Sequence, residues 1–233
     1  MRVTLITGGN KGLGYETARR LKERGHKIYI GSRSEERGEK AAKKLNVDHI
    51  QLDVTDEKSV KNAAQALLEK EGKVDVLINN AGVSNVFKSP KDTTAEDIEQ
   101  LYNTNVFGVV RMMNHFIPLL EKSKQPVVVN VSSGLGSFGM VSNLNKEESK
   151  VNALAYSSSK SAVTMLTVQY AKALVDMQIN AADPGSTNTD LVGDFSNNAK
   201  SVKKGTDAIV ELATIDENGP TGTFINNEGT MPW

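Results

Sequence analysis

Tyr156 and Lys160 are the two residues of this chain whose types and spacing best suit acid–base chemistry. They lie in the segment YSSSK, so on a helix they share one face, about 5–6 Å apart between Cβ atoms. A free tyrosine has a pKa of about 10, and a nearby fixed cation favours the phenolate and lowers that pKa. The spacing therefore predicts a tyrosine that exchanges protons during catalysis. The competing interpretation is a half-buried aromatic residue beside a solvated lysine.

A glycine-rich segment lies directly after the first predicted strand. Gly8, Gly12 and Gly14 follow the pattern G-x-x-x-G-x-G, and a helical pattern begins after them. Glycines let backbone N–H groups approach a pyrophosphate, and the N-terminus of the next helix adds partial positive charge. The segment predicts a dinucleotide site, although glycines also mark ordinary turns.

The end of the second predicted strand indicates which dinucleotide binds. Proteins that take NAD usually carry an acidic residue there, which holds the ribose 2′-hydroxyl. This chain has Gly31, Ser32 and Arg33 instead, and the planar guanidinium of arginine suits a phosphate. Lys11, inside the glycine turn, adds a second cation. Together they favour NADP(H) over NAD(H), against the alternative that both are solvated surface cations.

Three further strand ends carry polar or small residues. Asp53 and Val54 follow the third strand and are candidates to contact the adenine. The fourth strand ends in NNAG, in which Asn79 suits backbone hydrogen bonding while the small residues leave room for a ribose. Ser132 and Ser133 follow the fifth strand, and a serine hydroxyl can donate to a carbonyl oxygen as negative charge develops. The remaining NNAG residues predicted to bind the cofactor are Asn80, Ala81 and Gly82.

The pattern of the whole chain predicts the scaffold that holds these residues. Short apolar, β-branched runs alternate with helical patterns over all 233 residues, without repeats or linkers. Such alternation is typical of a parallel sheet covered by helices on both faces. We therefore expect a single α/β domain, residues 1–233. The predicted strands are Val3–Thr7, Lys27–Ile30, Ile50–Leu52, Val74–Asn79, Val127–Val131, Gln178–Ala181 and Gly222–Ile225.

Helices are predicted between the strands, and two polar stretches interrupt the alternation. Residues 134–152 and 186–204 are expected to be loops at the open edge of the sheet, where ligands bind in such folds. Asn105 falls in the middle of the longest predicted helix, where asparagine is a poor helix former. The predicted helices are Tyr15–Arg24, Glu36–Leu45, Glu57–Lys70, Ala95–Leu120, Ala155–Val175 and Thr206–Leu212.

Composition argues against several other functions. Lysine plus arginine equals aspartate plus glutamate, and cysteine is absent. We therefore expect no nucleic-acid partner, no disulfide and no thiolate chemistry. No apolar run approaches the roughly 20 residues of a membrane helix, so we expect no membrane partner and a cytoplasmic location. The three histidines lack metal-ligand spacing, and we expect no metal.

The motifs, taken together, resemble the short-chain dehydrogenase/reductase family, and the C-terminal segment resembles its carbonyl-reductase-like branch. The resemblance covers the whole chain and implies a Rossmann-type doubly wound parallel sheet of about seven strands with helices on both faces. It rests on the following segments: TGGNKGLG (7–14), DV (53–54), NNAG (79–82), NVFG (105–108), NVSS (130–133), YSSSK (156–160) and DPGSTNT (183–189).

The resemblance implies a catalytic role for four residues and a reaction. In the family, hydride passes from the nicotinamide to the carbonyl carbon of a small aldehyde or ketone. Tyr156 would give its proton to the carbonyl oxygen, with Ser133 hydrogen-bonded to that oxygen. Lys160 would lower the tyrosine pKa and hold the nicotinamide ribose, and Asn105 would anchor a water linked to solvent. The family also implies cofactor contacts from Asn10, Leu13, Tyr156, Lys160, Pro184, Gly185, Thr187 and Thr189.

The chain departs from the family between Ser133 and Tyr156, which are more widely separated than usual. The extra segment, around residues 143–149, is similar to a short form of the insertion in monomeric carbonyl reductases. Monomer and homo-oligomer therefore stay open. Two other functions compete with this one. A non-catalytic NADP(H)-binding redox sensor would have no use for Tyr156 and Lys160, and a sugar-nucleotide epimerase or dehydratase would need a larger C-terminal substrate domain.

Overall fold

The computed structural model describes residues 1–84, 88–188 and 200–233 as one α/β unit. Its strands are β1 (Val3–Thr7), β2 (Lys27–Ser32), β3 (Asp48–Gln51), β4 (Val76–Asn79), β5 (Val127–Val131), β6 (Gln178–Ala182), β7 (Phe224–Asn226) and β8 (Gly229–Thr230). Its helices are α1 (Gly12–Glu23), α2 (Glu35–Leu45), α3 (Glu57–Glu71), α4 (Ala95–Tyr102), α5 (Gly108–Leu120), α6 (Phe138–Val141), α7 (Leu154–Ala173), α8 (Val202–Gly205) and α9 (Asp207–Ala213).

The eight strands form one sheet in the order β3-β2-β1-β4-β5-β6-β7-β8. The first seven pair in parallel, and β8 pairs antiparallel with β7. The doubly wound parallel sheet predicted from the sequence is thereby confirmed. The prediction of about seven strands missed β8, because a strand of two residues carries no alternation of apolar and polar side chains. The order reverses between β1 and β4, and ligands of such sheets bind beside a reversal of this kind.

Both faces of the sheet are buried, which explains the continuous apolar runs in the sequence. Every residue of β1, β4 and β5 is buried. One apolar core packs Leu5, Leu77 and Val128 against α3, α5 and α7. The other packs Ile6, Ile78 and neighbouring side chains against α1, α2 and α9. The two cores hold the carboxyl ends of the strands at one edge.

The long helix predicted over Ala95–Leu120 is in fact interrupted. A π-helical turn, Asn103–Phe107, separates α4 from α5. Such turns insert an extra residue into a helix and often occur at functional sites. Asn105 lies in this turn and is buried. The poor helix former noted in the sequence therefore lies where the regular α-helix is interrupted.

The stretch 134–152, predicted as a loop, contains short helical segments. Gly134–Gly136 and Glu147–Lys150 form 3₁₀ turns on either side of α6. The C-terminus binds this stretch: Ser137 Oγ donates to the carbonyl oxygen of Pro232 at 2.7 Å, and the Gly139 N–H donates to that of Trp233 at 2.9 Å. The loop prediction missed these turns, because four-residue segments show no helical periodicity.

The second predicted loop, 186–204, is described only in part, since residues 189–199 lie outside the described ranges. Its last residues form α8. Among residues 1–84, 88–188 and 200–233, no helix is both long and apolar enough to cross a membrane.

Candidate active site

A cleft of about 700 Å³ opens at the carboxyl ends of the parallel strands. Residues that follow β1, β2, β3, β4 and β6, together with the end of β5 and residues of α7, form its wall. Predicted cofactor-binding residues that line it are Gly8, Asn10, Lys11, Gly12, Leu13, Arg33, Asp53, Val54, Asn80, Ala81, Gly82, Tyr156, Lys160 and Pro184. One cleft thus joins the glycine turn at one end to the tyrosine–lysine pair at the other.

The glycine turn passes from β1 into α1 with backbone in the left-handed region. Gly8 has φ 65° and Gly12 has φ 56°, a conformation that costs other residues free energy. Gly14 does not line the cleft but is needed for packing. A Cβ on it would lie 2.6 Å from both Asn80 Nδ2 and the Gly8 carbonyl oxygen. The third glycine therefore lets α1 approach the end of β4.

Asn80 ties the glycine turn to the end of β4. Its Nδ2 donates to the carbonyl oxygens of Thr7 at 2.8 Å and Gly8 at 3.2 Å. The hydroxyl oxygen of Thr7 accepts from the N–H groups of Asn80 and Ala81, both at 2.9 Å. The two strands on either side of the order reversal are therefore locked together at the cleft floor.

The end of the cleft beside the glycine turn is basic. Arg33 follows β2, is exposed and lines the cleft with Lys11 and Ser32. Ser32 is buried and its hydroxyl donates to the carbonyl oxygen of Ser34 at 3.0 Å. Ser34 caps α2 by accepting from the Arg37 N–H. Glu35 and Glu36, in the first turn of α2, stabilise the same end of the helix through its dipole. No carboxylate stands at positions 31–33.

Asp53 and Val54 line the cleft after β3. Oδ1 of Asp53 accepts from the Thr55 N–H at 2.9 Å and the Thr55 hydroxyl at 2.7 Å. In the part of the chain that the structure describes, its other carboxylate oxygen makes no hydrogen bond. The Asp53 carboxylate is thus held in a fixed orientation with one oxygen available as an acceptor. Such an oxygen is suited to accept a hydrogen bond from the amino group of an adenine.

Tyr156 and Lys160 lie on α7 as the sequence predicted from their spacing. Lys160 is only 5% exposed. Its Nζ donates to the Val131 carbonyl oxygen at 2.9 Å and lies 5.6 Å from the centroid of the Tyr156 ring. The ammonium is therefore held between the end of β5 and the phenol.

The pKa of Tyr156 departs from the sequence-based prediction. Burial raises it above the ordinary value of a tyrosine, and the charge of Asp183 raises it further, while a hydrogen bond with Ser133 opposes both. Burial also lowers the pKa of Lys160 to about 8, with Asp183 acting in the opposite direction. The prediction that Lys160 lowers the tyrosine pKa was wrong in net direction, because desolvation cannot be read from residue spacing. At neutral pH the phenol holds its proton, as a proton donor must.

Ser132 and Ser133 have different surroundings. Ser132 is buried, and its hydroxyl donates to the Lys160 carbonyl oxygen at 3.2 Å. Ser133 hydrogen-bonds to Tyr156 and accepts from the Leu135 N–H at 3.2 Å. The second serine is thus the one beside the phenol, whereas the first ties β5 to α7.

Asn105 lies behind the cleft and is 2% exposed. Its Oδ1 accepts from the Val83 N–H at 2.9 Å, and its Nδ2 donates to the Val83 carbonyl oxygen at 3.0 Å and to Ser159 Oγ at 3.1 Å. Both amide hydrogens are used by the protein. The side chain therefore braces the segment after β4 against α7, next to Lys160. The role of Asn105 in anchoring a water stays a prediction.

The segment after β6 closes the cleft on its last side. Pro184 lines the cleft, and Gly185 turns with φ 67°. Thr187 is 2% exposed, and its hydroxyl donates to the carbonyl oxygens of Pro184 at 3.2 Å and Gly185 at 3.1 Å. Thr187 thus shapes the turn from outside the cleft. Thr189, also predicted to bind the cofactor, lies outside the described residues.

Sequence reasoning missed several residues of the site. Asp183 was quoted only as part of a motif, although a carboxylate at the end of a buried strand is a signal in itself. Further residues that line the cleft and had no predicted role are Leu52, Thr55, Val83, Ser84, Thr104, Val131, Asn188 and Val202. Ser32 and Ser132, both noted from the sequence, line the cleft as well. No group of metal-ligating side chains occurs in the described part of the chain.

Comparison with known proteins decides the family. The model of the short-chain dehydrogenases matches residues 2–200. The chain belongs to the short-chain dehydrogenase family. It is therefore an oxidoreductase that depends on a nicotinamide cofactor.

Relatives of this short-chain dehydrogenase match over nearly its whole length. It is 36% identical to the short-chain dehydrogenase anuI of Penicillium roqueforti, covering 98% of this chain and 95% of that protein. It is 35% identical to an NADPH-dependent pterin aldehyde reductase of Arabidopsis thaliana, covering 99% and 92%. The NADPH-bound carbonyl reductase from chicken fatty liver superposes with a TM-score of 0.87 at 26% identity, covering 100% of both chains.

Proposed function

We propose that this protein is an NADP(H)-dependent reductase of small aldehydes and ketones, in which Tyr156 is the general acid. The observation that carries the proposal is a single cleft with Arg33 and Lys11 at one end and Tyr156 and Lys160 at the other. Binding of NADP(H) needs cations near the 2′-phosphate. Reduction of a carbonyl needs a proton donor beside the nicotinamide, at the other end of the same cofactor.

The residues of the cleft fit such a cofactor. A volume of about 700 Å³ falls within the roughly 300–1,000 Å³ of ordinary ligand sites. Gly8 and Gly12 let backbone N–H groups face the cleft at the N-terminus of α1, where an anion is favoured. Arg33 supplies a planar donor set for a 2′-phosphate. Bound NADPH supplies hydride to the carbonyl carbon of the substrate.

The protein's own groups would carry the proton side of the reaction. The raised pKa of Tyr156 keeps its proton on the phenol at neutral pH, so the group is available to the substrate oxygen as negative charge develops there. Ser133, hydrogen-bonded to Tyr156, would donate to the same oxygen. Lys160, fixed by the Val131 carbonyl, would hold the nicotinamide ribose and stabilise the phenolate left after proton transfer.

The substrate class is a carbonyl compound of small size. The Arabidopsis relative is named for reduction of an aldehyde, and the chicken relative is named a carbonyl reductase. Both names refer to NADPH, which agrees with an arginine at position 33.

An activity screen tests the proposal. Purified protein is mixed with NADPH or NADH and a panel of aldehydes, ketones and diketones, and loss of nicotinamide absorbance is followed. We expect turnover with at least one carbonyl class and a lower KM for NADPH than for NADH. NADPH binding by calorimetry without turnover of any carbonyl would contradict the proposal and favour the redox-sensor alternative.

A further inference from the structure

Asp183 is a buried carboxylate that directly precedes Pro184 of the cleft wall, and the proposed reaction does not yet use it. It follows β6 directly and is 4% exposed. Burying a charge costs free energy unless hydrogen bonds compensate. An asparagine here could accept the Gly185 hydrogen bond as well, so local turn geometry alone does not require a charged residue.

The Asp183 carboxylate bridges two turns of the site. Its Oδ1 accepts from the Gly185 N–H at 2.8 Å, beside Pro184, which lines the cleft. The Gly134 N–H also donates to the carboxylate, and Oδ2 lies 3.4 Å from the position of a Cβ on Gly134. Gly134 directly follows Ser133. One side chain thus fixes the turn that carries the serine and the turn that closes the cleft.

The same carboxylate acts on both members of the acid–base pair. Its negative charge raises the pKa of Tyr156 and also that of Lys160. Burial raises the pKa of Asp183 above its ordinary value, and the hydrogen bonds from Gly185 and Gly134 oppose that shift. Two further charged side chains face Asp183. Lys200 also favours the ionised form, whereas Glu148, whose Oε1 lies 3.0 Å from the Cβ position of Gly134, opposes ionisation.

We propose that Asp183 is a positioning residue, whose buried carboxylate ties the turn that carries Ser133, the partner of the Tyr156 hydroxyl, to the Gly185 turn. This inference rests on the proposed function of Tyr156 as general acid. It predicts that neutralising Asp183 makes the phenol a stronger acid, rather than merely loosening the site.

The pH dependence of alcohol oxidation with NADP⁺ tests the inference, because that direction requires ionised Tyr156. In wild type the rate rises as Tyr156 loses its proton. In Asp183→Asn we expect the midpoint of that rise at lower pH by about 1 unit, since a like charge at close range shifts a pKa by about that much or more. A loosened site without an electrostatic role would lower the rate but leave the midpoint unchanged, and that result would overturn the inference.

Asp216→Asn is the matched control. Like Asp183, Asp216 accepts a hydrogen bond from the N–H two residues further along the chain, that of Asn218 at 2.9 Å. Unlike Asp183, it lies at the opposite edge of the sheet, where its carbonyl oxygen accepts from Gln178 at the start of β6. Its pH midpoint should equal that of wild type.

An optical titration separates this inference from the proposed function. Phenolate absorbance is followed against pH in wild type, in Tyr156→Phe and in Asp183→Ser, whose hydroxyl can still accept from Gly185 and which also serves if Asp183→Asn does not fold. We expect the Tyr156 signal at lower pH in the Asp183 variant than in wild type. A Tyr156 signal at the same pH in both proteins overturns the inference, whether or not wild type reduces any carbonyl. A wild type that reduces no carbonyl overturns only the proposed function.

Discussion

Lys160 Nζ donates a hydrogen bond of 2.9 Å to the carbonyl oxygen of Val131, the last residue of β5. Helix α7 is therefore fastened to the central sheet through the cation itself. The ammonium lies 5.6 Å from the centroid of the Tyr156 ring, and Lys160 lines the cleft. The position of the cation is thus set by the main chain.

Replacing Lys160 tests this role. Lys160→Met keeps a side chain of similar length but removes the bond to Val131 and the positive charge. We expect turnover to fall by about 10²-fold or more, the range for groups that support proton transfer, and NADPH to bind more weakly. Steady-state kcat and KM measure both effects. The exposed Lys172, on the same helix, provides the control Lys172→Met; equal losses in the two variants would refute a specific role for Lys160.

Asn105 should matter for turnover through its contacts with Val83 and Ser159. Asn105→Ala removes two hydrogen bonds to Val83 and one to the buried Ser159 hydroxyl, and losing such buried or partly buried bonds costs about 1–3 kcal/mol of stability. It also frees the segment after β4 next to Lys160, so kcat should fall. Urea unfolding and steady-state kinetics measure these effects. Asn103→Ala, in the same π-helical turn, is the control, and unchanged stability and kcat in Asn105→Ala would contradict the bracing role.

Arg33 should determine the preference between coenzymes. Arg33→Ala removes the guanidinium that would bind the 2′-phosphate, and a hydrogen bond to a charged group contributes about 1.5–3 kcal/mol. We expect the Kd of NADPH to rise roughly 10- to 100-fold, while the Kd of NADH stays unchanged. Calorimetric titration of both coenzymes gives the comparison. Arg37→Ala removes an exposed arginine of α2 that does not line the cleft, and it should change neither Kd.

His26 should make stability depend on pH. It is 9% exposed, its Nδ1 lies 2.8 Å from Thr4 Oγ1, and burial lowers its pKa to about 4. The unfolded chain binds a proton near the ordinary value of 6.5, so stability is lost as pH falls from about 6.5 toward about 4.

A His26→Asn variant tests the titration, because an amide can hydrogen-bond to Thr4 without ionising. Between pH 6.5 and 4.5 its free energy of unfolding should fall by about 1–2 kcal/mol less than that of wild type. Urea unfolding at several pH values measures the difference. Parallel curves for the two proteins would show that His26 does not titrate between its folded and unfolded states.

Most of the fold could be predicted because strands buried on both faces leave unbroken apolar runs, and the ends of six parallel strands, β1 to β6, carry most residues of the cleft. The glycine turn and NNAG each adjoin a strand, and Tyr156 and Lys160 of YSSSK share a helix face. Local spacing was therefore sufficient to predict that these segments lie at the cleft. The π-helical turn at Asn105 was not predictable, since one extra residue barely alters helical periodicity. The net pKa shift of Tyr156 and the bridging contacts of Asp183 depend on burial by distant segments, which spacing does not encode.

The central claim is that Tyr156 delivers a proton to the substrate beside bound NADPH. Its most direct test is Tyr156→Phe, which removes one hydroxyl and keeps the ring, with Tyr170→Phe on the same helix as control. Carbonyl turnover and NADPH affinity are measured on the same preparations. The account predicts that turnover in Tyr156→Phe falls by about 10²- to 10⁴-fold while the Kd of NADPH is unchanged. A rate equal to that of wild type and of Tyr170→Phe would contradict it.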